Sequence, residues 1–139
     1  MAERDQALFA VLLGWERTAM ARTVHYAAQT ITNASGTKAL NAAMHALAEG
    51  HGLALGFRGI PASERKITDA ELAELAELLL VPSLAAATPY DLQNQNGIDL
   101  LEQAIVAIQR IYGFSSGDIA NFRLVGPNVC HSHPNGVCQ

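Results

Sequence analysis

The sequence predicts an all-α fold: a four-helix, up-down bundle-like domain with a short C-terminal helix and a cysteine-closed tail. Three observations carry that expectation. Residues 3–33 contain no proline, and their apolar positions recur at helical spacing. A stripe of alanine and glycine runs at i+3/i+4 spacing through residues 38–57. Capping signals precede the later apolar runs, and no alternating strand pattern competes with them.

The first helix is read over residues 3–33, with Leu8, Val11, Leu12, Trp15, Ala19 and Tyr26 along one side. The turn residues Thr32-Asn33-Ala34-Ser35-Gly36 end it. The second helix spans about 38–57, with small residues at Ala39, Ala43, Ala46, Gly50 and Ala54. Interior glycine costs about 0.5–1 kcal/mol relative to alanine, so close approach of another helix backbone is the expected compensation. Arg58-Gly59-Ile60-Pro61 stops it. Thr68 and Glu71 fit a capping box, with Ile67 and Leu72 placed as its hydrophobic staple. The third helix (69–80) then points Leu72, Leu75 and Leu79 inward and Glu71, Glu74 and Glu77 outward. Pro82 ends it, and residues 82–96 form a long connection with turn signals at Thr88-Pro89 and Asn94-Gln95-Asn96-Gly97. The fourth helix covers 98–112 with Gly113 as its cap, and Ser116-Gly117-Asp118 opens a last short helix through Phe122.

At 139 residues the chain makes one domain, read as a helical unit over 1–122 and a tail over 123–139. Half its residues are hydrophobic and only 16% are charged. That low charge leaves room for an apolar surface that another subunit covers, so a homo-oligomer is expected. A net charge of −4 gives no basic footprint for nucleic acid. No apolar run reaches the ~20 residues of a membrane span. The start, Met1-Ala2-Glu3-Arg4-Asp5, has no apolar signal core; the chain is either cytoplasmic or stripped of a leader.

Cys130 and Cys138 flank His131-Ser132-His133 and the turn Pro134-Asn135-Gly136. A turn there brings the sulfurs together, so a Cys130–Cys138 disulfide is expected, and with it a periplasmic or extracellular setting. The competing readings are a zinc or copper site built from Cys130, His131, His133 and Cys138, and a reduced, inert tail.

A second polar group follows from the hairpin made by the first two helices. His25 and His45 are equidistant from position 35 and so share a level, and Glu49 lies one turn beyond His45. Arg22, Tyr26 and Glu16 lie nearby. Two imidazoles and a carboxylate suit a transition metal ion such as zinc, copper or iron. They equally suit a hydrogen-bonded core network. His51 falls on another face and is set aside. No phosphate loop, dinucleotide fingerprint, His-Glu-x-x-His motif or nucleophile elbow is present, so no catalytic residues are assigned.

The ordered stretches Trp15-Glu16-Arg17-Thr18-Ala19, Val24-His25-Tyr26, His45-Ala46-Leu47-Ala48-Glu49-Gly50, Lys66-Ile67-Thr68-Asp69-Ala70-Glu71 and Ile111-Tyr112-Gly113-Phe114 resemble the C-terminal half of an uncharacterised bacterial family of exported, imelysin-like helical proteins. The resemblance implies a non-enzymatic binding domain with a link to metal. The imelysin-like Gly-x-His-x-x-Glu motif has its nearest match in His45-x-x-x-Glu49, which is one residue longer and lacks the glycine. It also implies a half-length bundle completed by a second copy. The alternative is a structural or assembly subunit whose polar cluster only fixes packing.

Overall fold

The structure, a computed structural model, describes residues 2–34, 40–80, 92 and 94–124. The described residues form five α-helices: α1 (Ala2–Ala34), α2 (Leu40–Leu55), α3 (Asp69–Leu78), α4 (Gln95–Tyr112) and α5 (Ser116–Phe122). Two short 3-10 turns, Gly56–Gly59 and Ala62–Glu64, carry the chain from α2 to α3. Among the described residues there is no strand, and no helix is long and apolar enough to cross a membrane. The all-α expectation holds. The Cys130–Cys138 loop, with His131 and His133, and the first hairpin turn at 35–39 lie outside the described residues.

Helix α1 is the hub. It packs against α2 along one side and against α4 and α5 on others, while α3 bridges α2 and α4. Its buried positions (Glu16, Ala19, Met20, Thr23, Val24, Ala27, Ala28 and Thr30) follow the 3.6-residue period. The threonines on that stripe spend their hydroxyls on the preceding turn: Thr23 Oγ1 donates to the Ala19 carbonyl at 3.0 Å, and Thr30 Oγ1 to the Tyr26 carbonyl at 2.8 Å. Leu72 and Leu75 from α3, Leu79 just after it, and Leu101, Ala104, Ile105 and Ile108 from α4 complete the core.

The helix ends follow their local chemistry. The Thr68–Glu71 capping box forms as read, and a second one forms between Ser115 and Asp118 at the start of α5. Gly113 caps α4 at φ 64°, where a side chain would be strained. Three boundaries move: α2 ends at Leu55 and α3 at Leu78, each two residues early, and α4 begins at Gln95, three residues before its expected start. Asn94 is its N-cap, with Oδ1 accepting from the Gly97 N–H at 3.0 Å. The Asn-Gln-Asn-Gly run was legible as a turn, but an asparagine that can close a turn can also cap a helix. Helix α3 stops at Leu78, and Leu80 follows in the left-handed region at φ 65°.

The glycines of α2 divide sharply. A Cβ on Gly50 would lie 3.3 Å from the Tyr26 Cβ and 3.8 Å from the Thr23 carbonyl, so here α2 meets α1 almost backbone to backbone. Gly52 and Gly56 have open space around them. Gly50→Val is therefore expected to cost about 1–3 kcal/mol by forcing the helices apart. Gly52→Ala, exposed and inside the helix, is expected to gain about 0.5–1 kcal/mol. Urea unfolding midpoints of the two variants check both signs.

Candidate functional site

The polar residues of the core converge on Glu16, whose residue is 1% exposed. It occupies the core stripe of α1, opposite the segment that leads into α3. Its Oε2 accepts the Lys66 N–H at 2.8 Å. Its Oε1 accepts the Ile67 N–H at 2.8 Å and the Tyr112 hydroxyl at 2.5 Å. Next along α1, Arg17 Nη1 donates to the Tyr112 carbonyl at 2.5 Å, and its guanidinium lies 4.5 Å from the centre of the Phe114 ring. Phe114 in turn stacks on Tyr112 and meets Phe122 edge-on.

A buried arginine supports the same junction. Arg65 Nε donates to the Ile60 carbonyl at 3.0 Å, Nη1 donates to the Ile67 carbonyl, and Nη2 reaches Asp69 Oδ1 at 2.5 Å. The middle of α1, the 60–69 segment and the end of α4 are thus joined by one carboxylate and two guanidiniums. Burial drives the Tyr112 phenol far above its ordinary range, and its hydrogen bond to Glu16 and the Glu16 charge push the same way. The phenol stays a neutral donor. Both Glu16 oxygens are engaged and the residue is buried, so the arrangement works as a clamp.

The expected metal group is not assembled. His45 and Glu49 lie on the solvent side of α2, with side chains 79% and 48% exposed and Nε2 to Oε1 at 4.0 Å. The residues α2 turns to the core are Ala43, Ala46, Leu47, Gly50 and Ala54. His45 and Glu49 each precede one of these by a single residue, a rotation of about 100°. Sharing a level with His25 did not make them share a face. His25 turns instead to α5, with Nδ1 3.3 Å from the Phe122 carbonyl. Arg22 and Tyr26 pair with each other, Nη2 to the hydroxyl at 3.2 Å. Among the described residues no three His, Cys, Asp or Glu side chains are grouped to hold a metal ion.

Two features escaped the sequence reading. His51, set aside there, is half-buried, and its Nε2 is buried without a hydrogen-bond partner. The apolar period of α1 also continues past the core. Leu8, Phe9, Val11 and Trp15 are 56%, 48%, 68% and 58% exposed. At 1.5 Å per residue α1 is about 50 Å long and α2 about 24 Å, so α2 cannot cover it. The Trp15 ring, 5.6 Å from that of Phe57, marks where cover from the α2 side ends.

Between α3 and α4 lies a shallow groove of about 410 Å³, floored by Leu78, Val106 and Ala107. Its acidic rim is already paired, Glu74 to Arg110 at 2.8 Å and Glu102 to Arg123. No family model, curated protein or solved structure matches the chain.

Proposed function

We propose that this chain is a non-catalytic helical assembly domain that joins a second copy of itself through the N-terminal half of α1. The uncovered apolar stretch of α1 carries the reading. Residues 7–13, Ala-Leu-Phe-Ala-Val-Leu-Leu, are apolar all round the helix, a pattern that belongs to a helix buried on several sides. No described element packs over the exposed side chains of that stretch. A two-fold pairing buries the same patch on both copies at once, which suits a lone patch of this kind. Among the described residues, the other large exposed apolar side chains, Met44, Val106 and Leu124, sit on three different helices or their ends. The Glu16 clamp supports a structural role for the polar core, since its groups are spent on holding helices in place. Light scattering on the intact chain tests the proposal: a mass of two chains at micromolar concentration is expected, and a monomer throughout overturns it.

A further inference from the structure

The half-buried His51 sits where α2 meets the end of α3. Its Nε2 has no hydrogen-bond partner, and the Leu79 carbonyl lies close to the ring. The turn that follows α3 is itself strained. Leu80, 5% exposed, is held at φ 65°, a conformation that costs a residue with a Cβ about 1–2 kcal/mol. Burial of Leu79 and Leu80 keeps the turn closed.

We propose that His51 is the trigger of an acid-released latch that holds the strained turn just after α3 against α2. With a neutral ring, the latch needs no counter-charge. A proton on the ring places a cation in a site with little water and an unpaired nitrogen. Arg58, on the 3-10 turn that follows α2, adds like-charge repulsion. Its charge is the one that bears on the ring. One group opposes release: the Leu79 carbonyl, at the negative end of α3, favours the cation. Burial outweighs it, and the His51 pKa is held below its ordinary 6.5. The sign follows. An opened turn takes up the proton near pH 6.5 and the closed one resists it. The latch therefore contributes its full stability above that pH and loses it progressively as pH falls from 6.5 toward the lowered value.

Amide hydrogen exchange on the full chain at pH 7.5 and 5.5, corrected for intrinsic rates, tests the device. Protection at Leu78–Leu80 is expected to fall several-fold more than protection in the middle of α4. His51→Gln, similar in size and uncharged, is expected to abolish the difference, and Arg58→Gln to reduce it. The same loss in His51→Gln as in the wild type overturns the proposal. Should that variant not fold, the wild type alone decides by NMR: a His51 ring titrating below pH 6.5 supports the latch, and one titrating at or above it overturns it.

Discussion

Glu16→Ala is expected to destabilise the domain by about 3–5 kcal/mol, lowering the melting temperature by roughly 10 °C or more. The substitution removes the acceptor for the Lys66 and Ile67 N–H groups and for the Tyr112 hydroxyl. Each donor left buried and unpaired costs about 1–3 kcal/mol. Glu16→Gln is expected to cost less, about 2 kcal/mol, because its oxygen still accepts while its NH2 faces a donor. Tyr112→Phe removes a donor and leaves the two backbone bonds intact, so about 1 kcal/mol is expected. The pairing itself is read by a double-mutant cycle: the Glu16→Ala and Tyr112→Phe losses should fall short of additivity by more than about 0.5 kcal/mol. Thermal and urea unfolding of wild type, the three single variants and the Glu16→Ala/Tyr112→Phe double variant measures all of this. A Glu16→Ala variant within 1 kcal/mol of wild type would show that water replaces the carboxylate and that the clamp is dispensable.

The helices were legible from local chemistry, because period, caps and breakers are written within a few residues of where they act. Thr68 with Glu71 and Gly113 show this. What failed depended on neighbours. Leu8, Val11 and Trp15 have the spacing of a core stripe, but α2 is too short to cover them. The polar core was missed for a related reason. Glu16 stood at the edge of the candidate group, and its partners are two backbone N–H groups and a tyrosine about 50 and 96 positions away. Backbone donors leave no mark in a sequence. The His25, His45 and Glu49 group was built on hairpin level alone. Helical phase relative to Ala46 and Gly50 would have turned His45 and Glu49 outward, since the small-residue stripe already named the face that meets α1. Of the three glycines read along the second helix, that stripe also picked out Gly50 as the place of close approach.

Val11→Glu is expected to convert the assembly to monomer while leaving the fold intact. Val11 is 68% exposed in the single chain, and it lies more than one turn before Glu16, where the buried stripe of α1 begins. Burying an exposed aliphatic side chain gains about 1–2 kcal/mol. In a two-fold interface the change acts twice, and it sets two unpaired carboxylates against an apolar surface. A loss of at least about 3 kcal/mol follows, or more than about 100-fold in Kd. Leu8→Glu should behave alike. The chain supplies its own reporter, since Trp15 is its single tryptophan and stands 58% exposed on the same patch. Its emission should shift to the red on dilution of the wild type, at the concentration where scattering mass halves. In Val11→Glu it should be red-shifted at every concentration. The unfolding midpoint of the monomeric variant should match that of wild type diluted below its Kd, because the Glu16 clamp and the α1–α4 core lie outside the patch. A variant that loses mass and cooperative unfolding together would place Val11 in the fold instead. A wild type whose mass and emission ignore concentration, with Val11→Glu indistinguishable from it, would leave the apolar half of α1 to a partner other than itself.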